Sequence, residues 1–415
     1  MAKKDIGSLL EGKTVLFVSF SKWLEGKRMP TNGSIEPMRD FMVPYAKRFV
    51  LIDQTHPGSD DVMPKIEVYS KNNKDFKSYN CSFYLYLLKP LLNKFNTSTT
   101  QPIFKVRDFL SVIDWSFRDK TTFDYCICLE SINTIAAIFL RKIGRVKKVV
   151  YYVSDYSPNR YPGKIFNNIY LFLDRFCAMH ADYIWDVSKA MQPARISVGL
   201  NSKKSAPVIH VPNGLYPDQI KANPISKIEN HSMVYMGTLG QENGPDIAIL
   251  SLELVMKKFP DAKLNIIGGT AQDFEWLKKI VQKKGLEKSV NVHGFVEKSS
   301  DMSDLIRNCT VGLAPYRDIP GSLRYYADAG KIRVYAAAGI SIVCSQVPPL
   351  GVEVAEKGAA LRVHDDPKSF ADAVINIFSD KKLYLRLRKN AMEFAEHNTW
   401  ENSFANAFRQ MNGGI

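Results

Sequence analysis

The alternation of short apolar runs with segments of helical period predicts two successive α/β domains. In the first half, this alternation extends from a strand at residues 13–20 to a strand at residues 208–211. In the second half it resumes at residue 233 and continues to a helix at residues 367–378. Short strand-to-helix connections are typical of parallel sheets. The pattern therefore predicts an α/β fold of two Rossmann-like, doubly wound domains that face a cleft.

The break between the two series of elements lies at Pro212-Asn213-Gly214, and a polar segment follows it. We predict an N-terminal domain over residues 1–215, a second domain over residues 216–398 and a terminal helical segment over residues 399–415. Within the first domain, residues 55–78 are polar and predict irregular structure.

A βαβ unit between residues 309 and 345 predicts an anion site. Its helix is predicted to start near Asp328 and opens with Asp328, Gly330, Lys331 and Arg333, after a basic, aromatic loop that contains Arg324. The first turn of a helix has unpaired N–H groups and a positive dipole, which favour a phosphate. A lysine there is unfavourable unless an anion is present, although a solvated lysine remains an alternative. Three other strand ends of this half carry small or aromatic residues: Gly237-Thr238, Gly294-Phe295 and Tyr316.

The charge is placed unevenly along the 415 residues. The net charge is +14, and residues 1–215 contain 31 Lys and Arg against 19 Asp and Glu. This asymmetry indicates a polyanionic partner for the first domain, either nucleic acid or anionic lipid, unless it is only a solvated basic surface. Because the domain has no strand of interleaved aromatic and basic residues, we expect no nucleic acid.

The sequence gives no indication of a metal, a disulfide framework or a membrane span. Six cysteines show no ligand spacing, and no run reaches the roughly 18 apolar residues that span a bilayer. The start of the chain lacks the apolar core of a signal peptide, so we expect a cytoplasmic protein. Residues 82–92, SFYLYLLKPLL, mix aromatic residues with flanking lysines. They predict either a membrane-contacting surface or a core strand and helix.

Four blocks together resemble the nucleotide-binding domain of GT-B glycosyltransferases. They are VPNGLYPDQI (211–220), VYMGTLGQENGPDIAI (234–249), HGFVEKSSDMSDLIRNCTVGLAPY (293–316) and KIRVYAAAGISIVCS (331–345). The last helices also resemble that family's final helix, which crosses back to the first domain. The large retaining branch has an Arg and a Lys where this chain has Thr238 and Asn243. It has two glutamates where this chain has Tyr326 and Val334.

The arrangement of the last blocks is more similar to the xanthan-type glucuronosyltransferases, an inverting branch. That resemblance implies that Lys331 holds the donor diphosphate and that Tyr316 lines the nucleotide site. Further donor-binding candidates are the strand-end residues Gly237, Thr238 and Phe295 and the basic residues Arg324 and Arg333. The same resemblance also implies an aspartate base in the first domain, which matches Asp155 in YYVSDYSPNR.

Asp155 follows a strand directly, where a carboxylate can accept the proton of an attacking hydroxyl. A helix cap or turn would use the same residue, and Glu130 at another strand end is the second candidate. We therefore expect an inverting, metal-independent glycosyltransferase without a separate cofactor. The expected donor is a UDP-sugar, and the expected acceptor is a lipid-linked saccharide at an anionic membrane surface. The alternatives are a sugar-nucleotide epimerase of the same fold and a non-enzymatic, basic lipid- or nucleic-acid-binding module.

Overall fold

The computed structural model describes residues 3–29, 33–70, 77–97, 102–296 and 298–413 and divides the chain into two compact units. The first unit comprises Met1–Pro212 and Trp400–Ile415, and the second comprises Asn213–Thr399. Each unit is built around a sheet of mainly parallel strands with connecting helices. The predicted α/β fold class is confirmed.

The first unit is built on an eight-stranded sheet of order β10-β9-β8-β7-β1-β4-β5-β6, with a small hairpin of β2 and β3 beside it. Its strands are β1 (Thr14–Ser21), β2 (Trp23–Leu24), β3 (Lys27–Arg28), β4 (Arg48–Thr55), β5 (Lys65–Ser70), β6 (Lys77–Tyr79), β7 (Phe123–Leu129), β8 (Val146–Val153), β9 (Tyr183–Asp186) and β10 (Val208–His210). The pairs from β10 to β4 are parallel, and β5 and β6 add an antiparallel edge. The prediction of irregular structure for residues 55–78 is therefore wrong, because β5 and the start of β6 lie there.

The helices of the first unit belong to two layers. They are α1 (Lys3–Leu10), α2 (Ile35–Met42), α3 (Phe83–Tyr86), α4 (Lys89–Lys94), α5 (Pro102–Arg118), α6 (Ser131–Lys142), α7 (Lys164–His180) and α8 (Met191–Ser197), with α16 (Trp400–Met411) from the end of the chain. The strand order runs one way from β7 to β10 and the other way from β1 to β4. Right-handed crossovers therefore place α5 to α8 on one face of the sheet and α2 on the opposite face.

Residues 82–92 form the short helices α3 and α4 and not a core strand. Phe83 is 80% exposed, and Tyr84, Leu87 and Leu91 are also exposed. Only Leu85 and Leu92 of this stretch are buried. The predicted core strand is therefore wrong, whereas Leu85 and Leu92 do belong to the core.

Helix α16 completes the core of the first unit with aromatic side chains. Phe408 lies against Phe41, Tyr125 and Trp185, with ring centroids 5.4–6.1 Å apart. Phe404 contacts Phe41 and Trp185 as well. Burial of each such ring stabilises the fold by about 1.5–3 kcal/mol, so the last helix contributes a substantial part of this core.

The second unit has a six-stranded parallel sheet of order β13-β12-β11-β14-β15-β16. Its strands are β11 (Ser232–Met236), β12 (Lys263–Ile267), β13 (Val290–Gly294), β14 (Val311–Ala314), β15 (Ser341–Cys344) and β16 (Ala360–Arg362). Its helices are α9 (Pro245–Val255), α10 (Ala271–Lys283), α11 (Ser299–Arg307), α12 (Gly330–Ala337), α13 (Pro349–Glu356), α14 (Pro367–Ser379) and α15 (Lys381–His397). The strand order reverses between β11 and β14, which is where parallel α/β sheets bind ligands.

The two ends of the second unit lie side by side. Leu215 forms an isolated parallel bridge with Thr399, and its N–H donates to the carbonyl oxygen of Asn398 at 3.0 Å. Across the described part of the chain, none of the helices is both long enough and apolar enough to cross a membrane.

Candidate functional site

Lys331 is a buried cation at the start of α12. In the described part of the structure, its Nζ is buried and has no hydrogen-bond partner. The ammonium lies 4.0 Å from the ring centroid of Tyr235 and 4.4 Å from that of Tyr316. The two ring faces attract the cation but accept no ordinary hydrogen bond from it. The donor capacity of Lys331 is therefore free for an anion.

The environment of Lys331 disfavours its charged form. Burial, and then the positive charge of Arg324, lower the pKa of Lys331 well below its ordinary value. Burial likewise raises the pKa of Tyr316 and Tyr235, so neither hydroxyl is an anionic partner at neutral pH. An anion bound beside Nζ would stabilise the protonated form of Lys331 and so raise its pKa again.

Tyr335 fixes the position of α12 at the reversal point of the sheet. Its hydroxyl donates to the carbonyl oxygen of Leu313 at 3.1 Å and accepts from the N–H of Met236 at 2.8 Å. It thus joins the helix to β14 and β11. A Cβ on Gly312 would lie 2.6 Å from the Tyr335 ring, so the glycine makes this close packing possible.

Two glycines let the loops around Lys331 approach each other. Gly237 has φ of +128°, and a Cβ there would lie 3.4 Å from Cε of Lys331 and 3.7 Å from Nζ. Gly244 has φ of +66°, and a Cβ there would lie 1.9 Å from the carbonyl oxygen of Pro315. The sequence signal from Gly237 therefore corresponds to a real approach to Lys331, as does the signal from Tyr316.

Arg324 supplies a second cation at this site. Its guanidinium pairs with Oε1 of Glu242 at 3.1 Å, and its positive charge contributes to the lowered pKa of Lys331. Glu242 belongs to the turn after β11, so this ion pair fastens the loop after β14 to that turn. Sequence analysis did not identify Glu242 or Tyr235; the position of Tyr235 two residues before Gly237 was the available signal.

The remaining donor-binding candidates of the second unit, Arg333, Thr238 and Phe295, have other surroundings than Lys331. Arg333 is buried, and its guanidinium binds Asp328 at 2.9 Å and Asn398 at 3.0 Å. Because residues two apart lie on different sides of a helix, it does not accompany Lys331. Thr238 is exposed, with its hydroxyl oxygen accepting from Asn243 at 2.8 Å. Phe295 is 72% exposed after β13, two strands away from β11.

Glu130 lies at the carboxyl end of β7 in the first unit, in a strained backbone conformation. Its φ and ψ are 68° and 154°, a region that residues other than glycine rarely occupy. Its carboxylate forms an ion pair with Lys105 of α5. Burial alone would raise the pKa of Glu130, but Lys105 and then Arg160 and His56 hold that pKa below its ordinary value. Glu130 is therefore an ionised carboxylate at neutral pH.

Asp155 lies just after β8, and Glu130 lies after the adjacent strand β7. The Asp155 carboxylate pairs with the Arg160 guanidinium at 2.5 Å. Because the carboxyl ends of parallel strands lie at one edge, both carboxylates belong to the same edge of the first sheet. Sequence analysis missed the three basic partners Lys105, Arg160 and His56; only the place of His56 directly after β4 could have indicated its role.

The two units thus offer different chemistry. The second unit has a buried lysine at a helix start, without a hydrogen-bond partner among the described residues, and this arrangement suits a phosphate or diphosphate. The first unit has two carboxylates at a sheet edge, Glu130 and Asp155, which suit proton abstraction from a hydroxyl.

Comparison with known proteins finds similarity to glycosyltransferases. The family model described as Glycosyl transferases group 1 matches residues 218–394. An uncharacterised glycosyltransferase from Haemophilus influenzae is 29% identical over 104 residues, which are 25% of this chain and 27% of that protein. The match therefore spans about a quarter of the relative's length.

Solved structures match almost the whole chain. HepE from Anabaena in complex with UDP superimposes with a TM-score of 0.66 and 15% identity, over 96% of this chain and 98% of HepE. Sucrose-phosphate synthase from Thermosynechococcus elongatus gives a TM-score of 0.67 and 14% identity, over 97% and 100% of the two chains. These likenesses show the GT-B fold, with two Rossmann-like domains.

Proposed function

We propose that this chain, a glycosyltransferase with the GT-B fold, transfers a sugar from a UDP-sugar to a hydroxyl group of a lipid-linked saccharide, with inversion at the anomeric carbon. The buried Nζ of Lys331, which has two aromatic faces around it and no hydrogen-bond partner in the described residues, is the observation that carries the proposal. HepE, which shares the fold, was solved with UDP and with UDP-glucose. Glucuronic acid is the donor sugar that we infer, from the resemblance to the xanthan-type enzymes.

In this proposal, the second unit binds the donor. Lys331 and the N–H groups at the start of α12 contact the diphosphate, and Arg324 adds positive charge. As the bond between the anomeric carbon and the diphosphate oxygen breaks, the negative charge on UDP grows and these groups stabilise it. No metal ion or separate cofactor takes part.

The first unit binds the acceptor and supplies the base. Asp155 accepts the proton of the acceptor hydroxyl while that oxygen forms the new bond to the anomeric carbon. Glu130 is the second candidate for this role, and its strained backbone gives it independent support. The products are UDP, the glycosylated acceptor and the protonated carboxyl group.

The test compares Asp155→Asn with Glu130→Gln, because each change removes the charge and keeps the size. We expect Asp155→Asn to lower the transfer rate by about 10²–10⁴-fold, the usual contribution of a general base. UDP affinity should stay unchanged, since the substitution is in the first unit.

The rates of the two variants decide the assignment. Loss of transfer in Glu130→Gln alone would move the base to Glu130. Full transfer in both variants would refute a carboxylate base in the first unit. A reaction without acceptor serves as a control, because conversion of the UDP-sugar there would indicate an epimerase instead.

A further inference from the structure

The exposed apolar side chains of the first unit lie on one face of its sheet. In the described residues of this unit, every exposed large apolar side chain lies on helices α3 to α8 or next to one of them. We call this set of helices the docking layer. Helix α3 packs against α5, α5 against α6 and α6 against α7, so the layer is continuous. It includes Phe83, Leu87, Phe117, Phe139, Phe166 and Phe172.

Helix α7 presents the clearest apolar stripe of the docking layer. Ile165 is 76% exposed and Phe166 is 66% exposed, and Ile169 and Phe172 follow at helical spacing on the same side. The opposite side of α7, which includes Leu171, is buried. The seven residue steps from Ile165 to Phe172, each with a rise of 1.5 Å, make this exposed stripe about 10 Å long. Nothing in the described part of the unit covers it.

The charges of the docking layer have one sign at the surface. All nine acidic residues between residues 81 and 200 are buried or half-buried. Lys94, Lys120, Lys142 and Lys164 are exposed in the same stretch of chain. Exposed apolar side chains, exposed lysines in the same stretch of chain and acids that are at least half-buried are the pattern of a surface that binds anionic lipid.

The loop that carries Asp155 is fastened to the exposed end of α7. The ring of Tyr161 contacts that of Tyr170 on α7, with centroids 5.7 Å apart. The side-chain amide of Asn167 donates to the carbonyl oxygen of Pro158 at 2.7 Å, and its oxygen accepts from the N–H of Tyr161 at 3.1 Å. The candidate base therefore lies at the rim of the apolar stripe.

We propose that the docking layer binds the first unit to an anionic lipid bilayer and brings the edge that carries Asp155 to the lipid headgroups. This inference rests on the proposed function for the lipid-linked nature of the acceptor. A second copy of the chain is the other possible occupant. A two-fold pairing of two copies would bring two basic surfaces of the same kind together, and their repulsion favours lipid as the occupant.

The test is co-sedimentation of the full chain with vesicles of phosphatidylglycerol and phosphatidylcholine, and with vesicles of phosphatidylcholine alone. We expect binding to the anionic vesicles that weakens as salt increases. Phe166→Glu combined with Phe172→Glu should weaken this binding by about tenfold or more, because two aromatic rings that insert into the bilayer are lost. Leu385→Glu, at a 39% exposed position on α15 in the second unit, is the matched control and should bind as the unchanged chain does.

Several results would overturn the proposal. The first is that the unchanged chain stays in the supernatant with anionic vesicles at low salt. The second is that the double variant binds these vesicles normally. The third is that the unchanged chain forms a dimer without lipid and the double variant does not. Urea unfolding of the double variant, compared with that of the unchanged chain, checks that the first unit is folded. Transfer to a short, water-soluble acceptor separates the two proposals. Vesicle binding without any transfer would refute the proposed function, and transfer without vesicle binding would refute the docking layer alone.

Discussion

Replacing Lys331 by Met separates a ligand-binding lysine from a structural one. Methionine keeps most of the volume and removes the charge, so the packing against Tyr235 and Tyr316 remains. The lost interaction with a diphosphate is a charge-assisted hydrogen bond, worth about 1.5–3 kcal/mol. UDP affinity should therefore fall by about 10- to 150-fold.

The same replacement should leave stability nearly unchanged. An unsatisfied buried donor costs about 1–3 kcal/mol, and the substitution removes that cost. It also removes two cation–π contacts of about 0.5–2 kcal/mol each, at the 4.0 and 4.4 Å distances to the two rings. Because these terms oppose each other, we expect the free energy of unfolding to stay within about 1 kcal/mol of its starting value.

Two measurements decide this prediction: calorimetric titration with UDP and urea unfolding. The control is Lys368→Met, because the Lys368 side chain is 82% exposed on α14 and only pairs with Asp372 at 3.0 Å. Neither quantity should change in the control. Unchanged UDP affinity in Lys331→Met, or a loss of more than about 3 kcal/mol of stability, would refute the assignment of Lys331 to the donor diphosphate.

Two further predictions concern the same site. Because burial and Arg324 lower the folded-state pKa of Lys331 below its ordinary 10.5, the unfolded chain binds more protons between the two pKa values. The contribution of Lys331 to stability therefore rises with pH across that interval, while UDP affinity falls there because the bound anion needs the ammonium. Calorimetry in two buffers of different ionisation enthalpy should register proton uptake on UDP binding, and Lys331→Met should abolish it. Separately, Gly244→Ala should destabilise the second unit in urea unfolding by more than Gly285→Ala does. Both glycines have φ of +66°, but only a Cβ at Gly244 meets another atom, the Pro315 carbonyl oxygen at 1.9 Å; equal losses would show that the loop yields.

Most elements could be predicted from the sequence because their buried faces are apolar. Helix α5 was not among the predicted elements, and its buried face mixes apolar with polar side chains. Phe104, Val112 and Trp115 are buried there. Arg107 is buried beside them, and it donates to the Thr55 hydroxyl at 2.9 Å and pairs with Asp108. Strand β5 was missed for a related reason, because it is short and antiparallel and mixes buried with half-buried residues.

The candidate site could be predicted only in part. Helix-start chemistry was enough to select Lys331 and its neighbour Gly237. The ring of Tyr235 was not predictable, because its approach to Nζ depends on how α12 packs on the sheet. Arg333 shows the opposite error: a basic residue at a helix start was assigned to the ligand, whereas the packing gives it to Asp328.

The position of α16 has a consequence for the order of folding during synthesis. A ribosome completes residues 213–399, and with them the whole second unit, before it makes the helix that fills the core of the first unit. The backbone segments at Leu215 and Asn398 lie side by side, so the second unit can complete its fold on its own. At that stage the side chains of Phe41, Tyr125 and Trp185 still lack their contacts with α16. The domain begun first is thus the domain finished last, and the aromatic side chains that α16 covers stay without this helix until the second unit has been made.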